Sequence, residues 1–538
     1  MNPLSIADCH ATTVVPGLSR LFLDYCAGAA EARPFYASLP PDTGWQHRPP
    51  VPAHWPQMTA LLAGQNLGDA TAAALEALRA GAGVVVTGQQ VGLLGGPLFT
   101  PFKAATALAR ARQATMAGKP HVAVFWLATE DHDFAEIDHV SFPARRALRK
   151  LAYAAAPATP VPVGGVLLDQ SIAPLVEQAW ELLGYSDAME ALAAAYQPGR
   201  SFAQAFAEFY AKVFAAQGLL VLDAGGREAH RLGAPVLRAA LERADELHAA
   251  LLQRKAALEA AGYHAQVAVG AQASLLFLID EKTGARVALK RLAPSVQEPQ
   301  GVWQAGRKTY HTADLVGILE AEPQRISPSA LLRPVFQDLL LSTSLTIGGP
   351  AEIAYFAQSA VLFERILGRV TPAQPRFSAT LIEPAIGELL RAHELSLDQV
   401  FRETMDSLAQ RLAARAMPVE GKRKLAAAGQ ALDAELEPLL DWMRTLDAGL
   451  GRSAETAASK MRYQMNRLRR LAANFELQRE AALARHAEAI SQTLYPGGSL
   501  QERVHGAAYY LARHGFELAE KLTESAMSDC TGHTGIWL

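Results

Sequence analysis

Gly83-Val-Val-Val-Thr-Gly-Gln-Gln-Val-Gly-Leu-Leu-Gly-Gly-Pro97, followed beyond an alanine-rich stretch by His121-Val-Ala-Val-Phe-Trp-Leu-Ala128, is the part of the sequence that decides the fold. A β-branched run, a string of glycines and a proline ahead of alanines read as strand, loop and helix. Pro97 suits the first helical turn, where its missing N–H has no intrahelical partner, and the helix should run to about Gly118. The second apolar run is unbroken, as expected of a strand covered by helices on both faces. Together these segments predict a parallel βαβ unit.

Outward from this unit, Gly218–Asp223 and Leu275–Asp280 are further strand candidates. The second is followed by Glu-Lys-Thr-Gly284 and then Ala285–Lys290, which reads as a hairpin closed by a glycine-containing loop. Proline-rich stretches around 157–163 and 293–299 are candidate seams where insertions leave and rejoin the core. Beyond about residue 390 the pattern becomes helical. Leu425, Leu432, Leu436, Leu439, Met443, Leu446 and Leu450 fall on alternating steps of four and three, and Met461, Met465, Leu468, Ala472 and Phe475 repeat the spacing. The glycine-containing Asp447–Ser453 segment between them predicts an antiparallel helical hairpin. Gly429 occupies a seam position, and Pro438 should kink or break the first helix. An amphipathic pair packed on its own core is the alternative.

At 538 residues the chain has room for roughly three or four domains. Lysine plus arginine (50) nearly balance aspartate plus glutamate (53), leaving a net charge of −3 and no electrostatic footprint for nucleic acid or anionic membrane. Cys9, Cys26 and Cys530 show no CxxC spacing, cannot all pair with one another, and fit a reducing compartment. The opening MNPLSIADCHATTVVPG lacks the sections of a signal peptide, and no apolar run is long enough to span a bilayer. The expectation is a soluble intracellular protein.

Ligands bind an open parallel sheet outside the carboxyl ends of its strands, and the informative segments fall there. In Thr87–Pro97 small residues allow close backbone approach ahead of a helix N-terminus, which suits phosphate or carboxylate, with Lys103 adding charge. The loop is neither a Walker A motif nor a GxGxxG fingerprint, and a tight structural turn is the bland reading. The second strand ends in Glu130-Asp131-His132-Asp133, where crowded ionisable groups push one another's pKa values apart, as proton transfer or ribose binding requires. A metal on Asp131, His132 and His139 is a weaker alternative, since consecutive residues rarely face one ion, and none is expected. A third cluster joins Ser327, Ser329 and Arg333 to the junction Ile347-Gly-Gly-Pro-Ala-Glu352-Ile-Ala-Tyr355. Glu352 there either caps a helix or receives a substrate ammonium. Lys290 and Arg291 read as a solvated basic end within reach of phosphates. No GxSxG elbow or cysteine-nucleophile signature is present.

VVVTGQQVGLLGGPLFTPFK, VFWLATEDHDFAEIDHV, SPSALLRP, IGGPAEIAYF and LYPGGSLQER, in that order, resemble the signature segments of the BshC family of bacillithiol biosynthesis. The resemblance implies an α/β fold: a Rossmann-like core similar to class I aminoacyl-tRNA synthetases, with connecting-peptide insertions and a C-terminal α-helical coiled-coil domain. The corresponding division is core over 1–150, 216–265 and 326–390, insertions over 151–215 and 266–325, coiled coil over 391–495, and a last segment over 496–538. It further implies a cytoplasmic ligase adding L-cysteine to glucosaminyl-malate as an amide, probing no nucleic acid or membrane, and a homodimer formed through the coiled coil. Because a carboxylate does not condense with an amine unaided, ATP, with magnesium, is the expected activator. Under this resemblance Gly92, Gly95 and Gly96 would receive the nucleotide. Glu130, Asp131, His132 and Asp133 would be catalytic. Thr87, Gln89, Gln90, Lys103, Ser327, Arg333, Glu352 and Tyr355 would bind substrate. Phe99, Ser329 and Gly497 stand where the family more commonly carries tyrosine, asparagine and asparagine. Two rival readings are another carboxylate-activating ligase or nucleotidyltransferase on this scaffold, and a non-catalytic dimeric metabolite-binding protein.

Overall fold

Gly83–Gln89 and His121–Leu127 are neighbouring parallel strands, in register from Gly83 opposite His121 to Gln89 opposite Leu127. The computed structural model describes all residues except 1–5, 40–43, 47, 145–146, 271, 293–301, 480, 529 and 531. The sheet runs, in spatial order, Ala373–Pro375, Thr343–Gly348, Gly83–Gln89, His121–Leu127 and Leu220–Asp223, with every pairing parallel. Helix Phe99–Met116 makes the crossover between the central strands and stops before Gly118, whose φ of +77° no longer continues it. Successive side chains of a strand point to opposite faces. Thus Val122, Val124 and Trp126 join one core with Val236, Leu237 and Phe336, while Phe125 packs on the other face against Phe206 and Tyr210.

Two segments interrupt the core. Between His121–Leu127 and Leu220–Asp223 lie an antiparallel hairpin, His139–Pro143 with Leu148–Ala152, and helices Ile172–Leu183, Asp187–Ala195 and Phe202–Val213. Farther on, Ala273–Ile279 pairs antiparallel with Arg286–Arg291 as the sequence predicts, inside a five-stranded sheet that also takes Ile326–Pro328. The candidate seam at 293–299 lies outside the described residues.

The chain divides into two compact units. One comprises 1–144, 148–380 and 502–536; the other comprises 145–147, 381–501 and 537–538. The first unit is therefore completed by residues that follow the second. Its terminal strands, Ile6–His10 and His533–Trp537, pair antiparallel. This pairing corrects the expectation for the cysteines: Cys9 and Cys530 are joined in a disulfide, 521 residues apart in sequence, and only Cys26 is a free thiol.

In the second unit, helices Val419–Leu446 and Ala448–Arg479 form the expected hairpin about Asp447. Pro438 does not break the first helix, which continues to Leu446; the proline lies on its exposed side, where water can reach the backbone it leaves unpaired. Gly429 sits inside this helix, where an added Cβ would meet only the mobile end of the exposed Arg469 side chain, so the structure shows no packing requirement for glycine there. Leu436, Leu440 and Ala458 bury one another, but Leu439, Trp442, Leu446, Met461, Leu468 and Phe475 remain exposed. The pair thus does not bury its apolar surface on its own core.

Candidate functional site

The carboxyl ends of strands Gly83–Gln89, His121–Leu127 and Thr343–Gly348 open on a cavity of about 520 Å³, whose walls include Gln89, Gln90, Lys103, Asp131, Arg333, Glu352, Tyr355, Arg376 and Arg503. A second cavity of about 550 Å³, lined mainly by apolar groups, lies against the antiparallel sheet and helix Ala244–Ala260. It is walled by Leu251, Leu275, Phe277, Arg286 and Arg291, and it shares Asp131 with the first.

Asp131 stands just beyond the strand end, where the chain turns out of the sheet, and its carbonyl accepts a hydrogen bond from Val163 N–H at 2.7 Å. Its carboxylate lies 3.5 Å from both Arg286 Nη1 and Arg333 Nη2, and Gln90 Nε2 donates to it at 3.1 Å. Burial would push this carboxyl up, but Arg333, Arg286 and the Gln90 hydrogen bond hold it below its ordinary value, so it is ionised. Arg333 opens helix Arg333–Leu341, and its Nε is buried with no hydrogen-bond partner. An unpaired buried donor on a cavity wall is a group for a ligand to satisfy.

His132 points to the other cavity. Arg286 Nη1 donates to its Nδ1 at 3.0 Å, which makes Nδ1 the acceptor and leaves the proton of the neutral ring on Nε2. Burial and then Arg286 lower the imidazole pKa, with Asp131 and Asp133 opposing, so the ring stays neutral. Arg286 is fixed on every side. Its Nε donates to Ser327 Oγ at 3.1 Å, its Nη2 to the Pro328 carbonyl at 2.8 Å, and its guanidinium lies 3.7 Å from the Phe277 ring centroid.

Glu130 lies beneath this layer. Its Oε1 is 3.0 Å from Nε2 of His230, an imidazole with no solvent exposure. Burial raises the Glu130 pKa and lowers that of His230, yet their mutual attraction prevails and the two form a buried ion pair. On the opposite wall, Lys103 Nζ donates to the Gly88 carbonyl at 2.7 Å and lies 2.5 Å from Glu352 Oε2, which also accepts from Gly349 N–H at 2.7 Å. Glu352 therefore caps helix Pro350–Leu367 and neutralises Lys103 at once. Gly348 allows this turn, because a Cβ there would lie 3.0 Å from Glu352 Cβ and Phe356 Cε2. Tyr355, one turn along the helix, is half-buried, and its phenol pKa is raised by desolvation and then by Glu352.

Several expected site residues take other places. Gly92, Gly95 and Gly96 are buried and offer no open phosphate cradle. The Tyr196 hydroxyl accepts from Gly95 N–H and donates to the Gly92 carbonyl, the Tyr210 hydroxyl donates to the Gly95 carbonyl, and Gly96 N–H is turned onto Leu93. Gly95, at φ +86°, is needed because a Cβ would meet the Phe209 ring at 2.7 Å. Thr87 is fully buried and donates to the Ile347 carbonyl, tying two strands rather than facing ligand. Ser327 is likewise buried beneath Arg286, and Asp133 is exposed and absent from both cavity walls. His139 pairs with Asp138 at 2.8 Å, away from Asp131. Lys290 is exposed, whereas Arg291 lies on the second cavity, over Trp303 and paired with Asp245. Sequence reasoning missed Phe277, His230, Arg286, Arg376 and Arg503. The signal for Arg503 was its place at the end of LYPGGSLQER.

Residues 7–377 match the family described as bacillithiol biosynthesis BshC, N-terminal Rossmann-like domain, and residues 379–536 match its C-terminal coiled-coil domain. Among curated proteins, one from Koribacter versatilis is 40% identical over 538 residues, covering 98% of this chain and 99% of the relative. One from Solibacter usitatus is 35% identical, covering 84% and 83%, and one from Salinibacter ruber is 30% identical, covering 95% of each. All three carry the name "Putative cysteine ligase BshC".

Proposed function

The chain belongs to the BshC family of bacillithiol biosynthesis, and on that premise we propose that it is a ligase joining the carboxyl group of L-cysteine to the amino group of glucosaminyl-malate. The observation that carries this reading is the meeting of two cavities of unlike chemistry at one ionised carboxylate, Asp131. Two reactants that must meet need two chambers with a common wall. The chamber lined by Arg333, Arg376 and Arg503 suits the malyl carboxylates; the chamber beside Phe277 and Arg286 suits the cysteine to be activated.

ATP is the proposed activator, supplying the leaving group that a free carboxylate lacks. The glycine loop does not fit it, whereas Arg333, with its unpaired Nε, is a donor that would hold phosphate. Asp131 accepts a hydrogen bond from the attacking amine and takes its proton as the C–N bond closes. His132, kept neutral, donates from Nε2 toward negative charge developing on the carbonyl oxygen. Arg286 holds both groups in place. We further propose a homodimer through the exposed apolar stripe of the hairpin, and a cytoplasmic site of action where cysteine and the amino sugar meet.

The test is mass-spectrometric detection of the amide after mixing purified protein with cysteine and glucosaminyl-malate, with and without ATP. Product that requires ATP and appears with AMP or ADP supports the proposal. No product from the complete mixture overturns it.

A further inference from the structure

A third cavity, of about 470 Å³, lies apart from Asp131 and is walled in part by Cys530, Cys26, Arg110, Gln113, Gln374 and Arg376. It brings two kinds of sulfur together. Cys26 is a thiol whose pKa burial pushes up to about 12, so at neutral pH it is almost wholly protonated and a poor nucleophile. Cys530 is half of a disulfide whose other half, Cys9, is exposed to solvent. Arg110 is held in place by donating to Gln374 Oε1 at 2.9 Å, Gln113 Oε1 at 2.8 Å and the Ala526 carbonyl at 3.1 Å. The cavity thus has a disulfide sulfur and a fixed positive charge among its walls, and thiol–disulfide exchange requires a thiolate to reach such a sulfur.

We propose that Cys530 is a thiolation site for a small anionic thiol. The incoming thiolate bonds to Cys530 Sγ, the Cys9–Cys530 bond breaks, and Cys9 leaves as a thiolate that takes a proton from water. A second thiol molecule then displaces Cys530, so that two thiols are oxidised to one disulfide while the protein disulfide is reduced to two thiols. Cys9 is the better leaving group because its thiolate is released into solvent, whereas Cys530 faces the cavity. The event reaches the reaction site through few groups. His533, three residues beyond Cys530, hydrogen-bonds the Ser378 and Thr380 hydroxyls at 2.8 Å each. Ser378 Oγ donates to Glu502 Oε2 at 3.1 Å, and Glu502 binds Arg376, which lines both this cavity and the cation-rich chamber. That the physiological thiol is the ligase's own product rests on the function proposed above; the exchange chemistry does not.

The full chain, purified without reductant, is exposed briefly to glutathione or to cysteamine at equal thiolate concentration, trapped with N-ethylmaleimide and analysed by peptide mass spectrometry. The expected result is glutathione on Cys530, maleimide on Cys9 and an unmodified Cys26. Cationic cysteamine should react about fivefold more slowly, corresponding to about 1 kcal/mol of charge interaction. Arg110→Gln should remove that preference, and so should high ionic strength with the unaltered protein. Adducts mainly on Cys9, equal rates for the two thiols, or maleimide on Cys9 and Cys530 before any thiol is added would overturn the proposal. None of these readouts needs ligase activity, so failure here and failure of the ligase reading are separable.

Discussion

Replacing Arg376 by methionine keeps most of the side-chain volume and removes the charge from the pair it forms with Glu502, both side chains being at most 3% exposed. The Glu502 carboxylate accepts two hydrogen bonds from Arg376 and one each from Ala379 N–H and Ser378 Oγ, the last two at 3.1 Å. The variant loses two charge-assisted bonds at about 1.5–3 kcal/mol each. It also leaves a buried carboxylate facing neutral donors, so the expected destabilisation is about 3–5 kcal/mol. Glu502→Gln keeps a neutral acceptor for Ala379 and should cost less. The double variant, with no buried charge left unpaired, should be more stable than Arg376→Met alone by about 2 kcal/mol. The pH dependence has a definite sign. Burial raises the Glu502 pKa, but Arg376, His533 and the Ala379 hydrogen bond outweigh it and leave the folded value below the unfolded one. The stabilisation is therefore present above the ordinary carboxyl pKa and is lost as pH falls through the folded value. Urea titrations of the three variants and the parent at pH 7 and pH 4 measure each quantity. A cost for Arg376→Met no larger than that for Glu502→Gln, or a double variant no better than the single, would refute the claim that charge burial governs this wall.

Asp131→Asn should leave the fold intact and lower kcat/KM for amide formation by about a hundredfold, through the lost orientation and proton acceptance; parental activity would remove Asp131 from the chemistry. In Arg286→Met, loss of the cation that helps to hold the His132 pKa down should move the acid limb of the pH–activity profile upward; an unmoved limb would show that neutral His132 is not required. Trp442→Glu with Leu446→Glu, both on the exposed hairpin stripe, should convert the proposed dimer to monomer in light scattering, and a dimer that survives would place the interface elsewhere.

What the sequence disclosed and what it hid follow from the range of the interactions. The strands at Gly83 and His121 were legible because an unbroken apolar run has one stable place in an α/β layer, and the hairpin at 447 because its spacing is local. Asp131 was legible because charge directly after a buried strand is locally anomalous. Arg286 was not, since it reaches His132 across 154 residues and looks, within Arg-Val-Ala-Leu-Lys-Arg291, like one more basic residue at a strand end. Gly92, Gly95 and Gly96 misled for the opposite reason. Glycine signals close approach, but the groups approaching are Phe209 and the hydroxyls of Tyr196 and Tyr210, contributed by a later helix pair. The Cys9–Cys530 bond escaped notice because only pairing of the terminal strands brings the two residues together.

The interrupted layout of the first unit has a consequence for synthesis on the ribosome. Strands and helices up to Thr380 emerge first, then the whole helical unit, and only afterwards the residues from Glu502 onward that complete the cation-rich wall. At about 5–20 residues per second this leaves the nascent unit without Arg503, and Arg376 without its carboxylate, for roughly ten seconds. During that interval a buried guanidinium position stays open to water, and the reaction chamber can close only as the last part of the chain leaves the exit tunnel. A messenger cut short after the coiled coil would therefore yield a protein with most of its strands in place and no finished site.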